Sequence, residues 1–137
     1  GIIIPDCPYE ESKEVSDICY KYDVDLISMI APTSKERTLE IAAQAKGFIY
    51  LVSSMGVTGM RSNIVTDIEG IVESIKTVTD TPVAVGFGIN SPAQVKHFGN
   101  IADGVIVGSA IVNLIKEHGD RAHQPLFNYI QTLIKEL

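Results

Sequence analysis

The strongest constraint on the fold is a repeated pairing of a short apolar run with a longer amphipathic segment. Five runs rich in β-branched residues recur along the chain, at residues 2–4, 26–30, 48–52, 83–87 and 105–107. Nearly continuous apolar runs are typical of strands covered on both faces, as in a parallel sheet. Because parallel strands need crossover connections, the pattern predicts an array of about five βα units.

Helical signals lie between and after these runs. Amphipathic spacing predicts helices at residues 10–22, 35–45, 67–78, 92–98, 110–118 and 125–137. Ser91 followed by Pro92 is typical of an N-cap and a first helical turn. The short segment 110–118, with a break at Gly119 after it, fits the extra helix that often completes a phosphate site in barrels.

Two architectures fit alternating βα units: an open doubly wound sheet and a closed (β/α)8 barrel. The first run is not followed by Gly-x-Gly-x-x-Gly, which argues against dinucleotide binding. A complete barrel takes about 250 residues. The 137 residues therefore predict a single α/β domain, residues 1–137, large enough for about five of eight barrel units.

Charge and composition exclude several classes of protein. A net charge of −6 opposes binding to nucleic acid or to an anionic membrane surface. No apolar run reaches the roughly 18 residues that span a bilayer. Cys7 and Cys19 are too few for a disulfide framework or a zinc site. We therefore expect a reduced, cytoplasmic protein without a metal, whose anionic ligands are bound locally.

Two glycine-containing loops follow the last two predicted strands, at residues 86–91 and 108–111. Glycines let backbone amides approach an anion closely, and Gly108-Ser109 opens a helix whose N-terminal dipole favours phosphate. The loops after the last two strands form the usual phosphate site of (β/α)8 enzymes. They predict a phosphate site on one shared face, with ordinary tight βα turns as the alternative.

Other candidates lie at the ends of the earlier strands. Asp6 follows the first run and is placed either for proton transfer or to cap the next helix. Residues 53–61 form a long glycine-containing loop, interpreted as a lid that is poorly ordered without ligand or as a surface insertion. Ile30, Tyr50 and Phe87 lie at strand ends, where they line an apolar pocket or belong to the core.

Taken together, six sequence blocks resemble the alpha subunit of tryptophan synthase. The blocks are Pro5-Asp6-x-Pro8 with Glu10-Glu11-Ser12, Ala31-Pro32-Thr33-Ser34, residues 47–53, Gly56-Val57-Thr58-Gly59, Gly86-Phe87-Gly88-Ile89 and residues 108–112. The resemblance implies a (β/α)8 barrel, of which this chain covers about strands 4 to 8. It also implies a lyase of tryptophan biosynthesis, which cleaves indole-3-glycerol phosphate to indole and glyceraldehyde 3-phosphate. The subunit would have no cofactor of its own and would pass indole to a pyridoxal-phosphate beta subunit.

The resemblance also implies roles for individual residues. Those implied to bind phosphate are Gly59, Gly86, Gly88, Gly108 and Ser109. Those implied to face the indole are Ile30, Tyr50, Phe87 and Ile106. Thr58 would help to position a catalytic aspartate on loop closure, and Asp6 would support the loop. Pro8 would lie where the beta subunit binds.

The catalytic glutamate and aspartate of this family precede the matched segment. We therefore expect three N-terminal βα units to be missing, and the 137-residue chain alone to bind but not cleave. Unpaired strand edges at residues 2–4 and 105–107 favour self-association of such a chain. The alternatives are a non-catalytic phosphate-binding or regulatory module, or another phosphate-binding barrel, such as indole-glycerol-phosphate synthase or a sugar-phosphate isomerase. The Gly-Val-Thr-Gly block argues against these other enzymes.

Overall fold

A computed structural model describes residues 1–32, 34–53 and 67–137. Within these ranges, four strands form one parallel sheet in the order β1-β2-β3-β4. They are β1 Ser28–Ile30, β2 Ile49–Val52, β3 Val83–Gly86 and β4 Gly104–Ile106. Each strand pairs with the next strand along the chain, which confirms the predicted α/β class and the sequential strand order.

Helices follow the strands at nearly all the predicted places. They are α1 Ser12–Tyr20, α2 Lys35–Gln44, α3 Ile68–Lys76, α4 Pro92–Gly99, α5 Ser109–His118 and α6 His123–Ile134. Short 3-10 turns, Tyr9–Glu11 and Gly119–Arg121, precede α1 and α6. Gly119 has a φ of 52°, so the chain turns at the predicted break. The last helix begins two residues earlier than Pro125, because proline is compatible with a first helical turn.

The prediction of a regular first strand at residues 2–4 was wrong. Ile2 makes one isolated parallel bridge to Leu26 and pairs no further. The chain turns immediately afterwards, where the Cys7 amide donates to the Ile4 carbonyl at 3.2 Å. Pro5 has no backbone N–H to contribute to a ladder, so pairing ends there. The predicted second strand is correspondingly split between this bridge and β1.

The core lies between the sheet and its helices. Strands β2 and β3 supply its centre, since Leu51 pairs with Val85 and both are fully buried. Helices α3 and α4 cover them with the buried side chains of Ile75 and Phe98. Alternate residues of β2 are only half-buried, as at Tyr50. The sheet is therefore covered well on its helical face, and the other face carries the less buried side chains.

Candidate functional site

The two predicted anion-binding loops leave the sheet at the same edge. Gly86, the last residue of β3, pairs with Ile106, the last residue of β4. Carboxyl ends of parallel strands meet at one edge, so residues 86–91 and Gly108 lie on a shared face. The predicted common face is confirmed. Anionic ligands of α/β proteins bind at this edge.

Helix α5 begins at this edge without a side-chain cap. Gly108 is its N-cap residue, with a φ of −116°, and no side chain accepts a hydrogen bond from the first turn within the described part of the chain. A Cβ atom at Gly108 would meet no described atom within 4 Å. The space beside Gly108 is therefore open, and the N-terminal amides, which begin at Ser109, carry the positive end of the helix dipole.

The loop after β3 has an unusual backbone. Phe87 and Gly88 have φ angles of 86° and 78°, so two consecutive residues adopt the left-handed region. That region is costly for any residue with a Cβ atom, so a side chain at Gly88 would be strained. The Phe87 side chain is 53% exposed, which leaves its ring accessible at the carboxyl edge.

Two residues distant in sequence, Ser53 after β2 and Tyr129 of α6, hold this loop. The buried Ser53 donates its amide to the Gly86 carbonyl at 2.8 Å and its hydroxyl to the Phe87 carbonyl at 2.6 Å. The Tyr129 hydroxyl of α6 donates to the Asn90 carbonyl at 3.0 Å. Burial raises the pKa of this hydroxyl. Sequence reasoning did not assign this role to Ser53 or Tyr129, because neither contact is local in the chain.

Gly86 has a packing role that sequence reasoning missed. The Tyr50 ring lies across it, and a Cβ atom at Gly86 would be 2.6 Å from Tyr50 Cζ. Gly86 is itself buried, and its carbonyl is occupied by Ser53. The absence of a side chain thus makes room for Tyr50. Contact between Gly86 and phosphate stays a prediction.

The residues expected to face an indole do not all share one face of the sheet. Tyr50 and Ile106 do, because Val52 pairs with Gly86 and Gly86 pairs with Ile106. Ile30 instead pairs with Leu51 and belongs to the buried core cluster. The register therefore places Ile30 on the helix-covered face, opposite Tyr50, where it supports the core.

Asp6 and Pro8 lie in the exposed segment before α1. Pro8 is the N-cap of the 3-10 turn, and no side chain caps that turn among the described residues, so the structure does not support Asp6 as a helix cap. Arg37 holds the segment against α2 through a bidentate pair with Glu10, at 2.6 and 3.0 Å. The hydrogen bonds from Arg37 hold the pKa of Glu10 below its usual value.

Several expectations concern residues outside those that the structure describes. Thr58 and Gly59 lie there, as does most of the predicted lid at residues 53–61. In the described ranges, no group of three His, Cys, Asp or Glu side chains is arranged to hold a metal ion. No helix there is long and apolar enough to cross a bilayer.

A sequential parallel sheet with an uncapped helix start at its carboxyl edge is typical of phosphate-binding βα-barrel proteins. The family model of the tryptophan synthase alpha chain matches residues 1–136. The chain belongs to that family, and its fold is that of the (β/α)8 barrel, of which it covers about half.

Individual relatives agree with this assignment. The tryptophan synthase alpha chain of Lactiplantibacillus plantarum is 54% identical over 119 residues, which are 86% of this chain and 45% of the relative. That of Bacillus pumilus is 47% identical over 121 residues, 88% of this chain and 45% of the relative. The chain thus spans about half the length of the curated relatives it matches.

Solved structures show the same fold. A protein from Aquifex aeolicus matches with a TM-score of 0.82 and 35% identity, over 100% of this chain and 50% of its own. The tryptophan synthase a2b2 complex of Pyrococcus furiosus contains a chain with a TM-score of 0.82 and 33% identity, over 98% of this chain and 55% of its own.

Proposed function

We propose that residues 1–137 form the C-terminal part of a (β/α)8 lyase, the alpha subunit of a tryptophan synthase. The proposed reaction is the retro-aldol cleavage of indole-3-glycerol phosphate to indole and glyceraldehyde 3-phosphate. Family membership over residues 1–136 supports this reaction. The uncapped start of α5 beside the left-handed loop after β3 is the structural observation that carries it.

The phosphate is proposed to bind between these two features. A dianion there would accept hydrogen bonds from the amides at Ser109 and Gly88, while Gly108 leaves room for its approach. Hydrogen bonds to a charged group contribute about 1.5–3 kcal/mol each, and an exposed helix dipole adds about 0.3–1 kcal/mol. Two or three such bonds account for tight local binding by a chain whose net charge is −6.

The indole ring is proposed to bind against Tyr50, Ile106 and Phe87. Tyr50 and Ile106 share the less covered face of the sheet, and Phe87 exposes its ring at the carboxyl edge. This apolar surface is adjacent to the proposed phosphate site, because the Tyr50 ring contacts Gly86, the residue before Phe87. We propose that Ile30 supports the pocket through the core.

The cleavage needs a proton at indole C3 and removal of a proton from the neighbouring side-chain hydroxyl. The bond between C3 and that side-chain carbon then breaks, its electron pair remains with the indole, and the hydroxyl carbon becomes the aldehyde. We assign neither proton transfer to Asp6, which is exposed in a turn. The family resemblance implies that a glutamate and an aspartate, which precede this segment, carry out the two proton transfers. It also implies that Thr58 and Gly59 belong to the loop that closes over the bound substrate.

The partner is proposed to be a pyridoxal-phosphate beta subunit that receives the indole in the cytoplasm. Pro8 is exposed, and the Arg37–Glu10 pair holds its segment in place. The a2b2 assembly of the Pyrococcus furiosus protein supports a partner of this kind. No cofactor is proposed for the alpha subunit itself.

Indole release by the full chain, with the beta subunit present, tests the proposal. We expect Gly108→Leu to raise KM about tenfold or more, because its side chain enters space needed by the phosphate. Gly104→Ala is a control at the amino end of β4, where a Cβ atom would make an ordinary 3.6 Å contact with Ala84 Cβ. It should leave KM unchanged.

Other outcomes separate the alternatives. Phosphate binding by the full chain without indole release would identify a non-catalytic module. Turnover of a different phosphorylated substrate would identify another barrel enzyme. We expect the 137-residue chain alone to release no indole, and turnover by that chain would assign proton transfer to Asp6 or another residue within it.

A further inference from the structure

Ser53 makes an unusual double contact. It directly follows β2, has no exposed surface, and donates both its amide and its hydroxyl to the loop after β3. Its partners are the consecutive carbonyls of Gly86 and Phe87, at 2.8 and 2.6 Å. The hydroxyl contact joins residues 34 positions apart, so it depends on the packing of two strands rather than on a local turn.

The two carbonyls determine where the next two amides point. In a trans peptide the C=O and the following N–H point in opposite directions, and the described chain has no cis peptide bond. Because both carbonyls point inward to Ser53, the amides of Phe87 and Gly88 point away from it. The Phe87 amide is directed at β4, since Gly86 pairs with Ile106 in the parallel ladder, whereas the Gly88 amide has no acceptor among the described hydrogen bonds outside the helices and strands. An N–H group left open in a left-handed turn at the carboxyl edge of a sheet is a typical contact for an anion.

The backbone here requires support. Phe87 adopts a φ of 86° although it carries a Cβ atom, and such conformations persist only where their surroundings hold them. The Ser53 hydroxyl contacts the peptide unit between Phe87 and Gly88, so its loss would let that unit rotate and redirect the Gly88 amide.

We propose that Ser53 is a positioning residue for phosphate binding: its hydroxyl holds the Phe87 carbonyl inward and thereby aims the Gly88 amide at the ligand. This inference rests on the proposed function for the identity of the substrate. It does not require Ser53 to touch the substrate, which distinguishes it from the glycines that line the site.

A pair of variants isolates the hydroxyl. Ser53→Thr and Ser53→Val introduce side chains of nearly equal shape, so any strain of overpacking is shared, and only threonine keeps the donor. In the full chain with its beta subunit, we expect KM for indole-3-glycerol phosphate to be about fivefold to tenfold higher for the valine variant than for threonine, as for loss of one hydrogen bond. The two kcat values should be similar.

Binding measurements separate positioning from general destabilisation. Inorganic phosphate should bind the valine variant several-fold more weakly than the threonine variant, while indole should bind both equally. Ser74→Ala is the matched control, since it removes a hydroxyl bond of 2.7 Å to the Gly70 carbonyl within α3. This control should change neither affinity.

Each result decides a separate question. Equal KM and equal phosphate affinity for the threonine and valine variants would overturn the role of Ser53. A parallel loss of phosphate and indole affinity would also overturn it, because that pattern indicates a collapsed site. If the full chain releases no indole but phosphate binding still depends on the hydroxyl, the proposed reaction fails while the positioning role holds.

Discussion

Helices α4 and α5 begin beside each other at the carboxyl edge of the sheet, but their first turns differ. Ser91 caps α4 and forms a reciprocal capping box with Gln94. Gly108 stands at the same position of α5, where no described side chain supplies a cap. One helix thus satisfies its own amides, whereas the first amides of the other have no side-chain cap in the described chain. We propose that the residue at the N-cap decides whether each of these helix starts serves stability or phosphate binding.

The loop that precedes α4 also contains amides of both kinds, some hydrogen-bonded within the protein and one left open. Its C-terminal half is closed, because the amides of Asn90 and Ser91 both donate to Gln94 Oε1, at 3.0 and 3.2 Å. Its N-terminal half directs the Gly88 amide away from Ser53, because the preceding carbonyl of Phe87 accepts from the Ser53 hydroxyl. The proposed anion therefore faces α5 and the first half of this loop, and α4 contributes support.

Placing a charged N-cap residue on α5 should have the largest effect on KM. Gly108→Asp places a carboxylate where the phosphate is proposed to bind and should raise KM about 30- to 100-fold through repulsion of about 2–3 kcal/mol. Aspartate is also a better N-cap than glycine, so the free energy of unfolding should rise by about 0.3 kcal/mol. Steady-state kinetics and urea unfolding of one preparation measure both.

Gly108→Asn provides the matched control for that charge. Asparagine caps a helix as well as aspartate does, so the gain in stability should be similar. Its KM should rise much less, because it blocks part of the space without repelling the anion. Equal KM values for the two variants would show that no negative charge binds at α5.

Removing the cap of α4 should lower stability and leave KM nearly unchanged, which is the opposite of the result expected for α5. Ser91→Ala removes the hydroxyl that accepts from the Gln94 amide and should lower the free energy of unfolding by about 1 kcal/mol. KM should stay within about twofold of wild type, because the α4 amides are not proposed to bind phosphate. A large increase in KM with unchanged stability would reverse the assignment of the two helices.

Local signals account for what was predicted correctly. Ser91-Pro92 marks the start of α4, and glycines mark the two loops, because caps and turns depend on adjacent residues. The β-branched runs gave the strands and their order. Residues 2–4 carried the same signal but failed, because Pro5 ends the pairing and a lone bridge to Leu26 remains.

Non-local contacts account for what sequence reasoning missed. The face occupied by Ile30 is determined by its register against Leu51, and an isolated run does not reveal that register. The Ser53 and Tyr129 contacts join residues 34 and 39 positions apart. A hydroxyl at the end of a buried strand was the only local signal for Ser53.

Removing the contact between α6 and the loop after β3 should have a smaller effect on stability. Tyr129→Phe removes the hydroxyl bond to the Asn90 carbonyl and should lower the free energy of unfolding by about 0.5–1 kcal/mol at neutral pH. Because burial raises the pKa of Tyr129, its contribution is complete below pH 10 and is lost as pH rises further. Unfolding curves of the variant should therefore converge with wild type at alkaline pH.

The smallest expected effect concerns the opposite edge of the sheet, where closure serves stability alone. Asp103 accepts from the Val83 amide and from Lys76 Nζ, both at 2.8 Å, and these contacts, Lys76 first, lower its pKa from 3.8. The folded state thus binds this proton less readily than the unfolded chain, so the stabilisation is present above about pH 4 and is lost as pH falls below it.

The side chain of Asp103 is 46% exposed, and solvent screening limits its pair with Lys76 to about 0.2–1 kcal/mol. Asp103→Asn should therefore lower the free energy of unfolding slightly at pH 7, approach wild type as pH falls below about 4, and leave KM unchanged. An altered KM would mean that the amino edge influences the phosphate site, and the division between a stabilising and a binding edge would fail.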